Sequence, residues 1–595
     1  MTLGSQPVRV EIPSDLGEPA PAEYGSDLVV DLLRELGVRY LPLNPGSSFR
    51  GLHDSLVNYG GNLDPQLLLC LHEEIAVALA HGYAKATRGL GVAAVHDLVG
   101  LMHASMAVYN AFCDRAPLLL LGGSGPADPA ARRPIDWTHS ATTQAQLVRD
   151  FVVWDAEPLT PAAFVADLAR AVQRALSAPR GPVYVSLDAA AQEQRLATEI
   201  PLPNLALLRP APPMAADPAS LQAAAELLAQ ARSPVVVAGR IGLDPASTPL
   251  LVEIVELLGA AYRDDRNMVA FPTLHPQNLC GDPDPLASAD VVLVVDVVDL
   301  PALVGRRGRG PRGASTDPVA APAIIDLSTG DLGLRSWSNA FAVPVPRTVQ
   351  LLADPLLGLR QLVEALHHII DPGPARSRRA TLATRSATLR EQASQAVRAH
   401  WDDRPISPAR LVAETWDAVR HTDWLLCLRN TRTWPEGIWE FDGAGRYLGH
   451  SGGGGVGYGP GAFVGGALAA RDDGRLGVGI IGDGDLLMGA GALWTACHYG
   501  IPLLMVVNDN SSFYNDEPHQ AQVARDRGRP TANSWIGMRI DDPPVRIADL
   551  ARSYGCWAAG PVEDPAELAP VLAGGVCEAL AGRTAVVHVR TAPQR

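Results

Sequence analysis

Oxygen-bearing side chains follow two apolar, strand-length stretches in the last third of the sequence. The triplet G-D-G ends the first stretch at 482–484, and N-D-N ends the second at 508–510. Parallel strands that end at one sheet edge would bring Asp483 and Asn510 together, where open α/β sheets bind ligands. Carboxylate and amide oxygens are hard donors that suit Mg²⁺, which also binds phosphate oxygens. The pattern predicts a metal-diphosphate site, although a lone G-D-G is more often an ordinary turn.

Two similar segments about 390 residues apart indicate which elements must position this site. Residues 90–121 and 476–507 each contain an apolar run, a helix-length stretch and a second apolar run after a proline. Runs rich in Val, Ile and Leu are typical of buried parallel strands joined by a crossover helix. The sequence therefore predicts two copies of one α/β unit. Only the second copy ends its strands in metal-binding residue types, so we expect one copy to hold a charged cofactor and the other to act on it.

A glycine-dense run lies just before the second copy. Six of the nine residues from 451 to 459 are glycine. Glycine loses more backbone freedom on folding than any other residue, so such a run is retained where a ligand or another backbone must come very near. A flexible loop is the alternative. The helix-like sequence at 462–468 favours the close approach.

The length predicts several domains, because 595 residues exceed what one hydrophobic core supports. Strand-like and helix-like runs alternate along the chain. We therefore predict an α/β protein of three consecutive doubly wound parallel-sheet domains. The predicted boundaries are a loose tail (1–25), a first domain (26–202), a Rossmann-like middle domain (219–370), a charged helical linker (371–406) and a last domain (407–595).

Composition and charge argue against several classes of partner. The formal net charge of −15 disfavours nucleic acid, because phosphate neutralisation needs surplus Lys and Arg. The sequence has no uncharged apolar run long enough for a membrane span, and its polar, Pro-rich start lacks a secretory signal. Seven scattered cysteines without a C-x-x-C pair fit a reducing compartment. We expect a cytoplasmic protein that acts on a small molecule.

The middle domain gives little support for a nucleotide. It has no G-x-G-x-x-G after a strand, so FAD or another nucleotide is not supported there. A basic cluster of four arginines occupies the Gly/Pro-rich stretch 306–312. A solvated loop explains this cluster best, and a site for a phosphate-bearing substrate is the alternative.

The spacing around the metal-binding residue types resembles the motif of thiamine diphosphate (ThDP) enzymes, G-D-G followed by about twenty-five residues and Asn-Asn. Here 25 residues separate Gly484 from Asn510. The resemblance implies that Mg²⁺ is bound by Asp483, Asn510 and the main-chain oxygen of Ser512. It also implies ThDP-binding roles for Gly455, Val456, Gly482, Asp483, Gly484, Asn510, Thr431 and Arg432.

Two residues depart from that motif. Asp509 replaces the first Asn, and Asp485 stands where the family usually has a small residue against the diphosphate. A carboxylate there would repel the diphosphate unless it turned away or met a cation, for which Arg432 is one candidate.

The first copy resembles the activating half of the same enzymes. Its H-E-x(8)-G-Y-A pattern places Glu73 nine positions before Gly82, with eight residues between them. In the family this Glu contacts the aminopyrimidine ring and favours the imino tautomer, whose nitrogen removes the thiazolium C2 proton. By itself, Glu73 is more simply a carboxylate at a helix start. Val456 corresponds to the residue that bends the cofactor. Family sites form between two chains, which implies a homodimer at minimum and favours a homotetramer.

Other segments resemble the benzoylformate decarboxylase branch more than the acetolactate synthase branch. N-P-G-S at 44–47 matches a motif whose Ser binds the substrate carboxylate, and V-H-D at 95–97 aligns with L-H-S, whose His relays protons. Ser47, His96 and Glu73 are therefore the candidate catalytic residues. A strand-end histidine bonded to backbone is the alternative for His96.

The resemblance implies Mg²⁺- and ThDP-dependent, non-oxidative decarboxylation of a 2-oxo acid, through ylid addition and an enamine that is protonated to release an aldehyde. The first alternative is a carboligase similar to acetolactate synthase or benzaldehyde lyase, in which the enamine attacks a second carbonyl compound. The second is a non-catalytic cofactor-binding scaffold, which Asp485 and Asp509 favour. A long polar loop at 511–537 is a candidate lid.

Overall fold

The computed structural model describes residues 8–14, 20–265, 268–305, 321–332, 345–429, 434–449 and 452–592. The strands of the first sheet are β1 (Tyr40–Leu43), β2 (Gln66–Leu69), β3 (Gly91–Val95), β4 (Leu118–Ser124), β5 (Trp154–Ala156) and β6 (Pro182–Asp188). Those of the second are β7 (Pro234–Ala238), β8 (Ala261–Asp264), β9 (Val291–Val295), β10 (Ala323–Ser328) and β11 (Val349–Leu352). Those of the third are β12 (Trp424–Arg429), β13 (Leu476–Gly482), β14 (Leu503–Asp509), β15 (Trp557–Val562) and β16 (Thr584–Arg590).

Helices alternate with these strands. With the first sheet are α1 (Gly25–Glu35), α2 (Arg50–Asp54), α3 (Glu73–Thr87), α4 (Asp97–Cys113), α5 (Asp136–His139), α6 (Pro161–Leu176) and α7 (Ala189–Glu193). In the middle region are α8 (Pro218–Gln230), α9 (Ser247–Leu258), α10 (Asp284–Ser288), α11 (Leu300–Gly305), α12 (Pro355–Ile369) and α13 (Pro372–Ala399). With the third sheet are α14 (Pro408–Val419), α15 (Gly459–Asp472), α16 (Asp483–Gly489), α17 (Gly491–Tyr499), α18 (Asp516–Asp526), α19 (Ile547–Ser553) and α20 (Pro565–Leu580).

Several of these helices begin with the same local sequence pattern. A Thr, Asp or Ser side chain accepts a hydrogen bond from a first-turn amide, and a proline occupies the first helical position. The proline has no N–H to leave unpaired there, and its fixed φ suits a helix start. The capping residues of this kind are Thr160, Asp217, Asp354, Asp371, Ser407 and Asp564.

All three sheets are parallel, in the orders β2-β1-β3-β4-β6-β5, β11-β10-β9-β7-β8 and β12-β13-β14-β16-β15. Most of the central strands are buried along their whole length, which explains why their sequences are continuous apolar runs rather than alternating ones. The predicted α/β class with three parallel sheets is confirmed.

The predicted repeat is also present. In the first copy β3 pairs with β4, starting with Gly91 opposite Leu118, and α4 connects the two strands. In the second copy β13 pairs with β14, starting with Gly477 opposite Leu503, and α16 and α17 connect them. Each pair lies inside its sheet, so the strand ends meet at one edge in each copy.

The chain forms two compact units. The first comprises 1–211, 402–433 and 451–595 and holds the first and third sheets, while the second comprises 212–401 and 434–450 and holds the middle sheet. The segment 434–449 pairs with the middle unit, as shown by the hydrogen bond from the Thr273 N–H to the Phe441 carbonyl at 2.9 Å. The domain boundaries given above stay a prediction.

Inside the first unit, α3 packs closely on α15. A Cβ added to Gly82 would lie 2.0 Å from the carbonyl oxygen of Ala462, and one added to Gly465 would lie 1.9 Å from that of Leu79. The two backbones therefore approach as closely as glycine permits. This contact joins the first-sheet domain to the third-sheet domain within one chain.

A helix that crosses a bilayer must be both long and apolar. No helix among the described residues meets both conditions.

Candidate active site

Asp483 lies where β13 ends and α16 begins. Gly482 is the last residue of the strand, and Asp483 is 2% exposed at the first position of the helix. Its Oδ2 is buried and has no hydrogen-bond partner among the residues that the structure describes. Burial, and then the neighbouring Asp509 carboxylate, raise the pKa of Asp483. A buried carboxylate oxygen without a donor, beside a second carboxylate, is an environment that a divalent cation would stabilise.

The loop after β14 supplies further oxygens. The side-chain oxygen of Asn510 accepts a hydrogen bond of 3.0 Å from the backbone N–H of Ser512, which fixes the turn. The Ser512 hydroxyl donates to Glu517 at 2.6 Å and is thereby directed into the loop. The oxygen donors of Asp483 and Asn510 fit a magnesium ion with a diphosphate, and Gly482 and Gly484 flank the carboxylate.

Asp485, the first departure from the motif, is occupied elsewhere. Its Oδ1 accepts a hydrogen bond of 2.6 Å from the backbone N–H of Gly457, and its Oδ2 lies 2.3 Å from where a Cβ of Gly459 would stand. The carboxylate therefore bonds to the glycine segment 452–459. The Asp485 side chain is thereby directed toward this segment, and its direction relative to a diphosphate stays a prediction.

Asp509, the second departure, belongs to a cluster with β16. Its Oδ2 lies 2.6 Å from Nε2 of His588 and accepts a 2.8 Å bond from Arg590. Although burial acts to raise it, the pKa of Asp509 is lowered by these two partners. His588 and Arg590 were not singled out from sequence. The sequence signal for them is that they alternate along β16. This alternation points to Asp509 only when β16 is paired with β14.

The glycine segment makes the predicted close backbone approach. A Cβ on Gly452 would stand 2.5 Å from Cβ of Cys113, and one on Gly455 would stand 2.2 Å from the Met106 side chain. The N–H of Gly453 donates to the Asn110 side-chain oxygen at 3.0 Å. The glycines thus accommodate α4 of the first domain.

Val456 lies in this segment and is 45% exposed. It is followed closely by Tyr458, whose hydroxyl bonds with Nδ1 of the fully buried His81. Asp114 lies 3.2 Å from Nε2 of His81 and accepts a 2.6 Å bond from Lys85. Burial opposes ionisation, yet Lys85 and His81 hold the pKa of Asp114 at about 2. This buried network holds the end of the glycine segment against α3.

Glu73 is the first residue of α3 and is 7% exposed. His72 caps the helix, because its Nδ1 accepts from the N–H of Glu74 at 3.2 Å. Oε2 of Glu73 lies 2.9 Å from Nδ1 of His103 on α4. Burial, followed by the Asp485 carboxylate, raises the pKa of Glu74. The acidic start of α3 therefore lies close enough to the start of α16 for the two carboxylates, Glu74 and Asp485, to repel each other.

His96 lies at the carboxyl end of β3 in a group of polar side chains. Its Nδ1 is 2.8 Å from the Ser48 hydroxyl, and its Nε2 is 3.2 Å from Nδ1 of His139. Burial lowers the pKa of His96, and the charges of His139 and Arg133 act in the same direction. Ser47 itself is exposed. The serine that contacts His96 is the next residue, Ser48.

The sequence gives no signal for Ser48 or His139, because each contacts His96 only in three dimensions and has no motif of its own. His103 is a weaker candidate from the sequence, and the structure places it against Glu73. Thr431, Arg432 and the arginine cluster at 306–312 lie outside the described residues. The roles assigned above to individual side chains stay predictions.

Comparison with known proteins gives matches at both ends of the chain. Residues 24–147 match the family description "Thiamine pyrophosphate enzyme, N-terminal TPP binding domain". Residues 430–589 match "Thiamine pyrophosphate enzyme, C-terminal TPP binding domain". The first match contains Glu73 and His96, and the second contains Asp483 and Asn510.

Individual relatives cover most of the chain. It is 27% identical to benzoylformate decarboxylase from Pseudomonas aeruginosa over 537 residues, 89% of this chain and 92% of that protein. It is 24% identical to acetolactate synthase isozyme 3 large subunit from Escherichia coli over 502 residues, 82% of each. The crystal structure of benzoylformate decarboxylase from Polynucleobacter necessarius superposes with a TM-score of 0.75 at 18% identity, covering 96% of this chain and 99% of that one.

Proposed function

Because the chain belongs to the thiamine pyrophosphate enzymes, we propose that it binds ThDP with Mg²⁺ and decarboxylates a 2-oxo acid to an aldehyde. The observation that carries the proposal is the buried, unpartnered Oδ2 of Asp483 at the carboxyl end of β13. An oxygen of this kind is costly unless a cation or a donor satisfies it. Asp483, Asn510 and the main chain of Ser512 would hold the ion.

Bound ThDP would supply a carbanion nucleophile that adds to the 2-oxo group, and it would accept the electron pair that stays behind when CO₂ leaves. Glu73 would hold and return the proton that activates the cofactor. Its buried place at the start of α3 keeps the carboxyl out of bulk water, which favours directed proton transfer. Asp485 would hold the glycine segment, and with it Val456, against the cofactor.

His96 would exchange a proton with the substrate-derived carbon. The Ser48 and His139 contacts fix its ring, and its lowered pKa means that an imidazolium formed there during the reaction would readily give up its proton. Ser47, exposed beside this group, is the proposed partner of the substrate carboxylate.

The proposed assembly is a homodimer or a homotetramer. Four large apolar side chains near the site are between 45% and 62% exposed, and a second copy would cover them. They are Leu71, Met102, Val456 and Met488.

Product analysis tests the reaction. The protein, loaded with ThDP and Mg²⁺, is incubated with benzoylformate, pyruvate and other 2-oxo acids, with and without an acceptor aldehyde. Free aldehyde and CO₂ as the products support the decarboxylase. Failure to consume any 2-oxo acid, or turnover that persists in Glu73→Gln, contradicts it.

A carboligase is the second candidate, and the similarity to the acetolactate synthase subunit over 82% of the chain favours it. In that reaction a second carbonyl compound takes the place of the proton. A 2-hydroxy ketone as the main product, formed with the added acceptor or from two molecules of one 2-oxo acid, identifies this activity in the same experiment.

A further inference from the structure

A second titratable side chain contacts Glu73. Nδ1 of His103 lies 2.9 Å from Oε2 of Glu73, although the two residues are 30 positions apart. The His103 side chain is 57% exposed, whereas that of Glu73 is 9% exposed. Within a single chain, one imidazole therefore touches a buried carboxyl at one end and reaches the surface at the other.

The hydrogen bond determines which nitrogen of His103 carries the hydrogen. An ionised carboxylate only accepts hydrogen bonds, so Nδ1 of His103 carries the hydrogen when Glu73 is charged. The other nitrogen, Nε2, is then free to take a proton from water. When Nε2 gains a proton and Nδ1 passes its own to Oε2, the imidazole stays neutral and Glu73 becomes the acid. The reverse sequence returns the proton to water.

The surroundings hold both side chains in this arrangement. Gly100 lies one helical turn before His103, and a Cβ there would stand 3.1 Å from Oε1 of Glu73. The His103 ring stacks on that of His72 at 4.7 Å with 22° between the planes. His72 accepts a backbone N–H through Nδ1, so it is anchored to α3. The charged or titratable groups that face His103 from α3 and its cap are thus His72 and Glu73.

We propose that His103 is a positioning residue that orients Glu73 and connects it to solvent as a proton relay. The inference rests on the proposed function, in which Glu73 gives a proton to the cofactor and must recover it. Oε2 is bonded to His103, which would leave Oε1 for the cofactor, and rotation of the carboxyl group about its Cγ–Cδ bond would carry the proton received on Oε2 to that side. Without His103, a carboxyl that is 9% exposed would exchange protons with water slowly.

The experiment measures hydrogen–deuterium exchange at C2 of bound ThDP by rapid quench and NMR. His103→Ala is expected to slow exchange by roughly tenfold to a hundredfold while ThDP still binds. Added imidazole should restore much of the rate, because it can occupy the exposed space. His103→Asn keeps a donor for Oε2 but cannot relay, so imidazole should not rescue it. His53→Ala, an exposed histidine in the same domain, is the matched control.

A second measurement uses the protein without cofactor. Diethyl pyrocarbonate modifies unprotonated, accessible ring nitrogens, and peptide mass spectrometry locates the product. His103 should react far faster than the fully buried His81 and about as fast as His53. Protection of His103 to the level of His81 overturns the relay, since Nε2 would not reach water.

The outcomes separate this inference from the proposed function. Wild-type exchange in Glu73→Gln means that Glu73 does not activate the cofactor, and the proposed function fails. Slow exchange in Glu73→Gln together with wild-type exchange in His103→Ala overturns the role of His103 alone. Slow exchange in His103→Ala that imidazole does not restore also overturns the relay, because loss of structure would explain it.

Discussion

Asp485 bonds to the backbone of the glycine segment through its Oδ1. From the sequence, we expect a carboxylate at this position to repel the diphosphate unless it turns away or meets a cation. The 2.6 Å bond from the Gly457 N–H directs Oδ1 toward the glycine segment. A residue that departs from the family motif can thus be compatible with the cofactor when its charge is used by a neighbouring amide.

Replacement of Asp485 should therefore weaken cofactor binding without removing the metal ligands. Asp485→Ala leaves the Gly457 N–H without its charged acceptor, a loss of about 2 kcal/mol for a bond of this type. We expect ThDP affinity to fall about tenfold or more by calorimetric titration. Asp485→Asn keeps an oxygen that can accept the bond and serves as the matched control. Equal affinity in Asp485→Ala and the wild type would contradict the role given to this residue.

His96 gives a prediction on pH and stability. Its pKa is lowered by burial and by His139 and Arg133, so the folded protein resists protonation of this ring. In the unfolded chain a histidine protonates near pH 6.5. As pH falls below that value the unfolded state binds the proton first, and the free energy of unfolding decreases. At higher pH the ring is neutral in both states, and this contribution vanishes.

Thermal unfolding at pH 7 and pH 5 measures that contribution. His96→Asn should lose less stability between the two pH values than the wild type, because the disfavoured protonation site is gone. His53→Asn, at an exposed position, is the matched control variant. A steeper loss in His96→Asn would mean that the folded state favours the protonated ring.

At the scale of elements, α3, which begins at Glu73, packs against α15, which follows the glycine segment. This packing depends on the absence of side chains at Gly82 and Gly465, where a Cβ would stand about 2 Å from a carbonyl oxygen. No rotamer change relieves a clash between a Cβ and backbone. The helices must therefore separate to accept any larger residue.

Gly82→Ala should lower the free energy of unfolding by about 1–3 kcal/mol through this overpacking. Gly574→Ala in α20 is the control, since its Cβ would meet only the Trp557 ring at 3.7 Å, an ordinary contact. That variant should be neutral or slightly stabilised, by roughly 0.5–1 kcal/mol from helix propensity. Chemical denaturation compares the two. A Gly82→Ala protein as stable as the Gly574→Ala protein would show that the helices do not pack this closely.

The elements themselves were largely predictable from sequence, and the contacts between them were not. Apolar runs identified β3, β4, β13 and β14, because strands buried on both faces allow few polar residues. The place of Asp483 at a strand end followed from the same pattern. The bond of Asp485 to Gly457 and that of Glu73 to His103 depend on how separate helices and loops approach in three dimensions. Spacing along the chain carries no signal for such pairs.

At the scale of the whole molecule, the first and third sheets share one compact unit and the middle sheet forms another. Glu73 and Asp483 both lie in that first unit, and the family resemblance predicts that each site combines Glu73 of one chain with Asp483 of another. The predicted assembly of two or more chains is a separate expectation, supported by the exposed apolar side chains near the site.

Met488 offers a test of that expectation, because it is 62% exposed on α16. Met488→Glu should shift the sedimentation coefficient from that of a dimer or tetramer toward that of a monomer, since a carboxylate in an apolar interface is strongly unfavourable. Leu207→Glu, at an 81% exposed position, is the control and should leave the assembly unchanged. A wild-type protein that sediments as a monomer would overturn the predicted oligomer.

Calorimetric titration of ThDP in the presence of Mg²⁺ tests the central claim most directly, with the wild type, Glu73→Gln and Asp483→Asn compared. We expect one ThDP bound per chain for the wild type and for Glu73→Gln, because the proposed role of Glu73 concerns the proton rather than the diphosphate. Asp483→Asn should bind more weakly by on the order of a hundredfold while its thermal unfolding shows a folded protein. Binding by Asp483→Asn as tight as that of the wild type, or no binding by the wild type, would contradict the account.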